Sequence, residues 1–206
     1  MSEVEKKIAE ARKNLDALEA KLFQNAVKSD ETPVFQFVFG TPGSGKTTRL
    51  IPKLYAELSQ PFVLEIDQIK YLMPLTLPPA TWKGLKEEYY FKFLNRAIDE
   101  KLSIITTYPY IVFTLPKLKE LIEKARVNGY DISTAYLESS FVRAYEGSNK
   151  KQTDTNKLLD EQFRFKPDLF TMSAFHLRNK WALKKMQRNP NIFGKIKVFD
   201  KDLNER

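Results

Sequence analysis

The clearest chemistry in this chain lies in Gly40-Thr41-Pro42-Gly43-Ser44-Gly45-Lys46-Thr47, which satisfies the pattern G-x-x-x-x-G-K-[ST] at every specified position. Glycines at these positions let the backbone turn its N–H groups inward, forming an anion nest at the positive end of the helix that follows. The Lys46 ammonium would then lie against the β- and γ-phosphates of a nucleotide, and the Thr47 hydroxyl would ligate Mg²⁺. The residues from Gly40 to Thr47, with Thr48 behind them, are expected to hold ATP or GTP. A chance glycine-rich turn is the bland alternative. The apolar strand before the octet (Val34 to Phe39) and the helix pattern after it argue against that alternative.

A phosphate loop does not decide what happens to the γ-phosphate. Transfer needs a carboxylate near the acceptor hydroxyl and positive charge around the moving phosphoryl group. Phe62-Val63-Leu64-Glu65-Ile66-Asp67 reads as a second strand ending in acids. In an open parallel sheet ligands gather at the carboxyl ends of the strands. Asp67 is therefore the candidate base or acceptor-orienting residue, and Glu65 a candidate water-mediated contact to Mg²⁺. Lys70, one turn further on, could bind an anionic acceptor or be a solvated surface lysine. Arg143, just past the fourth strand, is a candidate for stabilising the transferred phosphoryl. Tyr108, directly after the third strand, is the tyrosine best placed to touch substrate. Trp82, Tyr89, Tyr90 and Phe91 read as core residues more than as a stacking platform. His176 is the only histidine; it cannot build a histidine metal site and reads as a packed or surface residue. No nucleophile-elbow sequence supports a hydrolase triad.

The elements that must position these residues alternate. A capping box at Ser2 and Glu5 opens a helix whose apolar residues Val4, Ile8, Ala11, Leu15, Leu18 and Leu22 recur four and three apart. Such a stripe usually docks on its own domain and less often holds a partner helix. Strands are expected at 34–39, 62–67, 102–107, 132–137 and 196–199. Helices are expected at 47–58 (with Pro52 bending or cutting it), from Thr81 to about Lys101, and from Thr114 and Pro116 to the stop at Asn128-Gly129. A polar helical region should run from Ser140 to about Phe165, and a last helix from Pro167-Asp168 to about Gln187. The pattern predicts an α/β fold of the P-loop NTPase type, with three layers, a mainly parallel sheet and helices on both faces. It divides into an N-terminal amphipathic helix (1–28) and a kinase-like domain (33–206).

At 206 residues the chain can bury a proper core. It has no cysteine, which excludes disulfides and thiolate metal sites. No apolar run approaches membrane-helix length and the first residues are polar, so a cytoplasmic protein with no membrane partner is expected. The net charge is +8. Residues 163–206 hold eleven Lys or Arg against four acids. That tail is read first as solvated surface and phosphate-binding groups, and a nucleic-acid partner is the less favoured reading.

Four features in order make the chain resemble the zeta-toxin family of phosphate-loop kinases, which phosphorylate UDP-N-acetylglucosamine. They are the octet at 40–47, the spacing Asp67-x-x-Lys70-x-x-x-Pro74, Gly129-Tyr130 before the strand Ser133 to Leu137, and the ending Ile196 to Asp200. The resemblance covers roughly residues 34 to 200. It implies a kinase using ATP or GTP with Mg²⁺, Asp67 as catalytic carboxylate, and often an inhibitor (antitoxin) protein. Of the family's two phosphate-contacting arginines, the first falls near Lys150 or Lys151 and the second near Arg164, with Arg143 competing. The third strand ends Ile105-Thr106-Thr107-Tyr108, without the family's sugar-holding Glu. The expected activity is γ-phosphate transfer to a hydroxyl of a small molecule, a UDP-sugar being one candidate. An NTP hydrolase, or an NTP-binding module acting through a protein or nucleic acid, is the alternative.

Overall fold

The protein's structure, a computed structural model, describes residues 2–24, 26–74, 76–107, 111–150 and 168–206, and within these all side chains except 111–115, 149 and 150. Five strands form one sheet: β1 (Val34–Gly40), β2 (Phe62–Glu65), β3 (Ile104–Thr107), β4 (Asp131–Leu137) and β5 (Lys195–Phe199). Their order is β2-β3-β1-β4-β5, and all four pairings are parallel. β1 is central, so the loop leaving it emerges where the strand order reverses, which is where open α/β sheets bind ligands.

Period-two alternation sorts the side chains. Phe35, Phe37 and Phe39 enter the larger core with Ile104, Ile132 and Tyr136. Val38, Ile105, Ala135 and Leu137 enter a smaller one. The larger core is closed by α1 (Glu3–Gln24), α4 (Pro79–Asp99), α5 (Ile111–Val127), α7 (Leu169–Gln187) and α8 (Pro190–Phe193). On the other face α2 (Ile51–Glu57) presents Leu54 and Ile51. The layered α/β architecture expected from the alternation of strands and helices is what the chain adopts.

The capping box at Ser2 forms as read: Ser2 N–H donates to Glu5 Oε2 at 2.6 Å and Glu5 N–H to Ser2 Oγ at 3.2 Å. The middle of the α1 stripe, Ala11 and Leu15, is wholly buried against the chain's own core. Arg12 reaches across to Glu88 of α4 with bonds of 2.7 and 3.1 Å, and the Arg96 guanidinium lies 4.0 Å over the Phe23 ring. Ion pairs this exposed contribute little; the buried apolar stripe holds the helix.

Several boundaries differ from the expectation. β2 stops at Glu65, and α3 (Ile66–Lys70) follows without a loop, because Glu65 and Gln68 form a reciprocal capping box. Asp67 therefore sits in the first turn of a helix, not at a strand end. α4 starts at Pro79, not Thr81, since a proline at the first helical position loses no hydrogen bond. α5 begins at Ile111 with Pro116 inside it. Of the polar region after β4, α6 (Phe141–Lys150) is described; 151–167 lie outside the described residues. Among the described residues, no helix is long and apolar enough to cross a membrane.

Candidate functional site

The phosphate loop leaves β1 at Gly40 and ends at Gly45, which caps the next turn in the left-handed conformation with φ 99°, a geometry costly for any residue with a Cβ. The helix then opens in a wide register. Leu50 N–H points to Gly45 O at 3.4 Å and Ile51 N–H donates to Lys46 O, giving a π-helical turn over Lys46–Leu50. Pro52 supplies the reason: it has no N–H to offer, and its ring crowds the carbonyl four residues back. The proline expected to bend or cut the helix instead sets the widened turn that carries Lys46, Thr47 and Thr48. Lys46 Nζ donates to Gly40 O at 2.8 Å and to Thr41 O at 3.0 Å, so its ammonium spans the mouth of the loop. Ser44 is buried, and its Oγ has no hydrogen-bond partner among the described residues. An orphaned buried hydroxyl within an anion nest fits a phosphate group.

Thr47 Oγ1 donates to Glu65 Oε2 at 2.5 Å. The same Glu65 carboxylate caps α3, while Glu65 N–H donates to Gln68 Oε1 at 2.9 Å. The capping box thus locks the acid that meets the loop threonine. Mg²⁺ at nucleotide sites takes one or two protein oxygens and completes its shell with phosphates and water, and Thr47 with Glu65 is a donor set of that kind. Two residues further, Asp67 pairs with Lys70, Nζ to Oδ1 at 2.5 Å, the carboxylate about half exposed. Glu65, Asp67 and Lys70 are therefore brought into one short segment beside Thr47.

Sequence reasoning missed Lys86. This α4 residue is 5% exposed, with Nζ 5.0 Å over the Trp82 ring. Burial, then the nearby Lys70 charge, pushes its ammonium down to about 8, with Glu87 and then Asp67 pulling the other way. Lys86 thus faces the Asp67–Lys70 pair from the helix above. The only sequence signal was a lysine within the apolar stripe of α4. Lys86 holds its proton less tightly folded (about 8) than at the ordinary 10.5. Between those values the unfolded chain carries more protons, so stability rises with pH across that window, and below it the penalty is fully present. Lys86→Met is expected to stabilise the fold at neutral pH by on the order of 1–3 kcal/mol, the gain vanishing by about pH 10.5. Urea melts of both proteins across that pH range check this; a destabilised variant at neutral pH would contradict it.

α6 crosses the tip of the phosphate loop backbone to backbone. A Cβ placed on Gly43 (φ 76°) would lie 2.1 Å from Ala144 O and 2.5 Å from Ser148 N; one placed on Gly147 would lie 2.2 Å from Gly43 O. Only glycine at both positions allows this approach. Arg143 is held one residue from that contact. It lines a cavity of about 290 Å³ with the bases Lys180, Lys201 and Arg206 and the acids Glu138 and Asp200, both of which pair with Arg206, at the carboxyl edge of β4. Lys150 ends α6, and its side chain is not among those described. Tyr108, Lys151 and Arg164 lie outside the described residues. Two of the aromatic candidates are core: Tyr90 is buried and shares a 2.8 Å hydrogen bond with Thr106, and Tyr89 donates to Asp16 at 3.2 Å; Trp82 and Phe91 are half-buried against that core.

His176 is packed, as read, but its neighbour is informative. From the buried face of α7 its Nδ1 shares a hydrogen bond of 3.1 Å with Thr41 Oγ1 in the phosphate loop, and the Phe141 ring lies edge-on at 6.2 Å. Burial, and then the Lys180 charge, holds the imidazole below its usual pKa, so it meets the loop uncharged. α7 itself starts cleanly because Asp168 accepts from Thr171 N–H at 2.6 Å.

No protein-family model matches this sequence, and no curated protein matches it either. Solved structures do match. One comes from the PezAT chromosomal toxin–antitoxin system of the human pathogen Streptococcus pneumoniae, with a TM-score of 0.71 and 14% identity over 96% of this chain and 79% of that one. This chain shares the fold of that structure. AvrRxo1-ORF1:AvrRxo1-ORF2 solved with sulphate ions matches with a TM-score of 0.55 and 13% identity over 98% of this chain. The same pair solved with ATP matches at 0.52 and 13%. This chain spans 64% of the length of those AvrRxo1 chains. At such identities the likeness is one of fold.

Proposed function

We propose that this protein is a Mg²⁺- and ATP- or GTP-dependent kinase that phosphorylates a hydroxyl of a small molecule, and that a partner protein holds it in check. The observation that carries the reading is the 2.5 Å bond from Thr47 to Glu65, with Asp67 two residues on. Glu65 would thereby join Thr47 at the metal, and the same short segment would supply Asp67 as a second carboxylate. In the proposed step the γ-phosphorus–oxygen bond to the β-phosphate breaks while a bond to the acceptor oxygen forms. Asp67 takes the hydroxyl proton, and ADP or GDP leaves with the bridging oxygen. Lys46 and the loop N–H groups would neutralise the triphosphate, and Thr47 with Glu65 would hold Mg²⁺, which would offset the charge on the phosphates. Arg143, with Arg164 or the lysines at 150 and 151, meets the charge on the moving phosphoryl, and Lys70 and Tyr108 contact the acceptor. Such catalysis is mostly positioning and electrostatics. The toxin–antitoxin origin of a matching structure and the ATP found with another support the nucleotide and the inhibitory partner. Residues 1–28 would then brace a catalytic unit spanning 33–206, in a cytoplasmic setting that supplies Mg²⁺ and triphosphate.

The test is transfer of labelled γ-phosphate to a panel of UDP-sugars, nucleosides and oligonucleotides. Wild type should label one acceptor class, and Lys46→Ala or EDTA should lower transfer by roughly 10²-fold or more. Phosphate release without any labelled acceptor would replace the kinase reading with a hydrolase.

A further inference from the structure

Helix α7 is apolar on two opposite faces. Met172, His176, Asn179, Ala182 and Met186 are buried in the domain. Pointing the other way, Phe170, Ala174, Leu177, Trp181, Lys184 and Arg188 follow at spacings of four and three, the seam spacing of a two-helix coiled coil. Phe170 is 84% exposed, Leu177 67% and Trp181 50%. A surface helix ordinarily buries one stripe and solvates the rest, and an exposed cluster of large apolar side chains marks an interaction site. Charge adds direction. From Leu169 to Arg188 there is no acid, whereas Arg178, Lys180, Lys184, Lys185 and Arg188 are all exposed, and Lys185 Nζ lies 4.8 Å over the Trp181 ring.

We propose that this outer face of α7 is the docking site for an acidic amphipathic helix of a partner protein. The partner's apolar residues would cover Phe170, Leu177 and Trp181, and its carboxylates would meet Lys180, Lys184, Lys185 and Arg188. The narrow seam, closed at its far end by Lys184 and Arg188, suits a helix better than a lipid surface. A second copy of the chain would bring like charges together. The opposite face of α7 holds Thr41 through His176, so the docked helix would sit directly behind the element that touches the phosphate loop. The proposal rests on the reading that a partner protein controls the chain. Its test reads binding alone, so a chain without kinase activity can still pass it.

Two synthetic helical peptides about four heptads long serve as probes, both with leucine at the seam positions, one with glutamate and one with lysine at the flanking positions. Titrated with the full chain and read by fluorescence anisotropy, the acidic peptide should bind with a Kd on the order of 10 μM and the basic one at least about tenfold more weakly. The double variant Leu177→Glu, Trp181→Glu should lose the acidic peptide while keeping its wild-type circular dichroism and ATP binding. Lys184→Glu with Arg188→Glu should reverse the peptide preference. Any of four results overturns the proposal: no binding of the acidic peptide, equal binding of both, self-association through this face in sedimentation, or stronger partitioning to phosphatidylglycerol vesicles than to the peptide.

Discussion

Asp67→Asn is expected to lower phosphoryl transfer by roughly 10²–10⁴-fold while changing ATP affinity by no more than about twofold. The asymmetry follows from position. Asp67 is in the first turn of α3, separated by one residue from Glu65, the acid that meets Thr47, and it pairs with Lys70 at 2.5 Å. The amide keeps the size and one acceptor oxygen but cannot take a proton from an attacking hydroxyl. It also removes the charge opposite Lys70. Because Thr47 bonds Glu65 and not Asp67, the nucleotide side of the site stays intact. Single-turnover transfer from labelled ATP, beside equilibrium ATP titration, separates the two effects. Undiminished transfer would remove Asp67 from the mechanism, and lost ATP binding would reassign it to the metal.

Gly147→Ala is expected to weaken ATP binding at least about tenfold and to destabilise the protein, although helix propensity alone predicts a gain of about 1 kcal/mol. The new methyl would lie 2.2 Å from Gly43 O, a backbone atom of the phosphate loop that cannot swing aside as a side chain could. Either α6 lifts off the loop or the tip of the loop shifts, and both disturb the anion nest. Gly84→Ala supplies the control: that helical glycine has open space where a Cβ would go, so it should stabilise by roughly 0.5–1 kcal/mol and leave binding alone. Thermal melts with ATP titrations decide the matter. A Gly147→Ala protein that melts higher and binds normally would show that the helix and loop do not meet in solution.

Much of the site was legible because its residue types are constrained by local chemistry. The octet from Gly40 to Thr47 could be read without a fold, since its glycines, lysine and threonine match the pattern of a phosphate loop residue by residue. Asp67 was singled out by its place after β2, and the element there is a helix. The error came from overlooking that Glu65 and Gln68 stand at capping-box spacing, a signal present in the sequence and outweighed by the apolar run before it. His176 illustrates the opposite case. Nothing around Phe175-His176-Leu177 points to Thr41, which lies 135 residues away, and only the packing of α7 over the loop brings them together. Lys86 is similar: its ammonium is depressed by burial and then by the nearby Lys70 charge, which depends on how α4 lies over α3.

The sequence by itself therefore determined the strand–loop–helix that can cradle phosphate, the alternation that yields a parallel sheet, and the acids that follow β2. All of these are set by spacings within a few residues, where backbone geometry and side-chain chemistry act locally. Only the tertiary structure decided that Glu65 faces Thr47, that α6 needs Gly147 to lie on Gly43, that His176 reaches Thr41, and that α7 shows water a second apolar seam. Each of those depends on the relative placement of elements far apart in the chain, which the burial of the two cores fixes and no local spacing encodes.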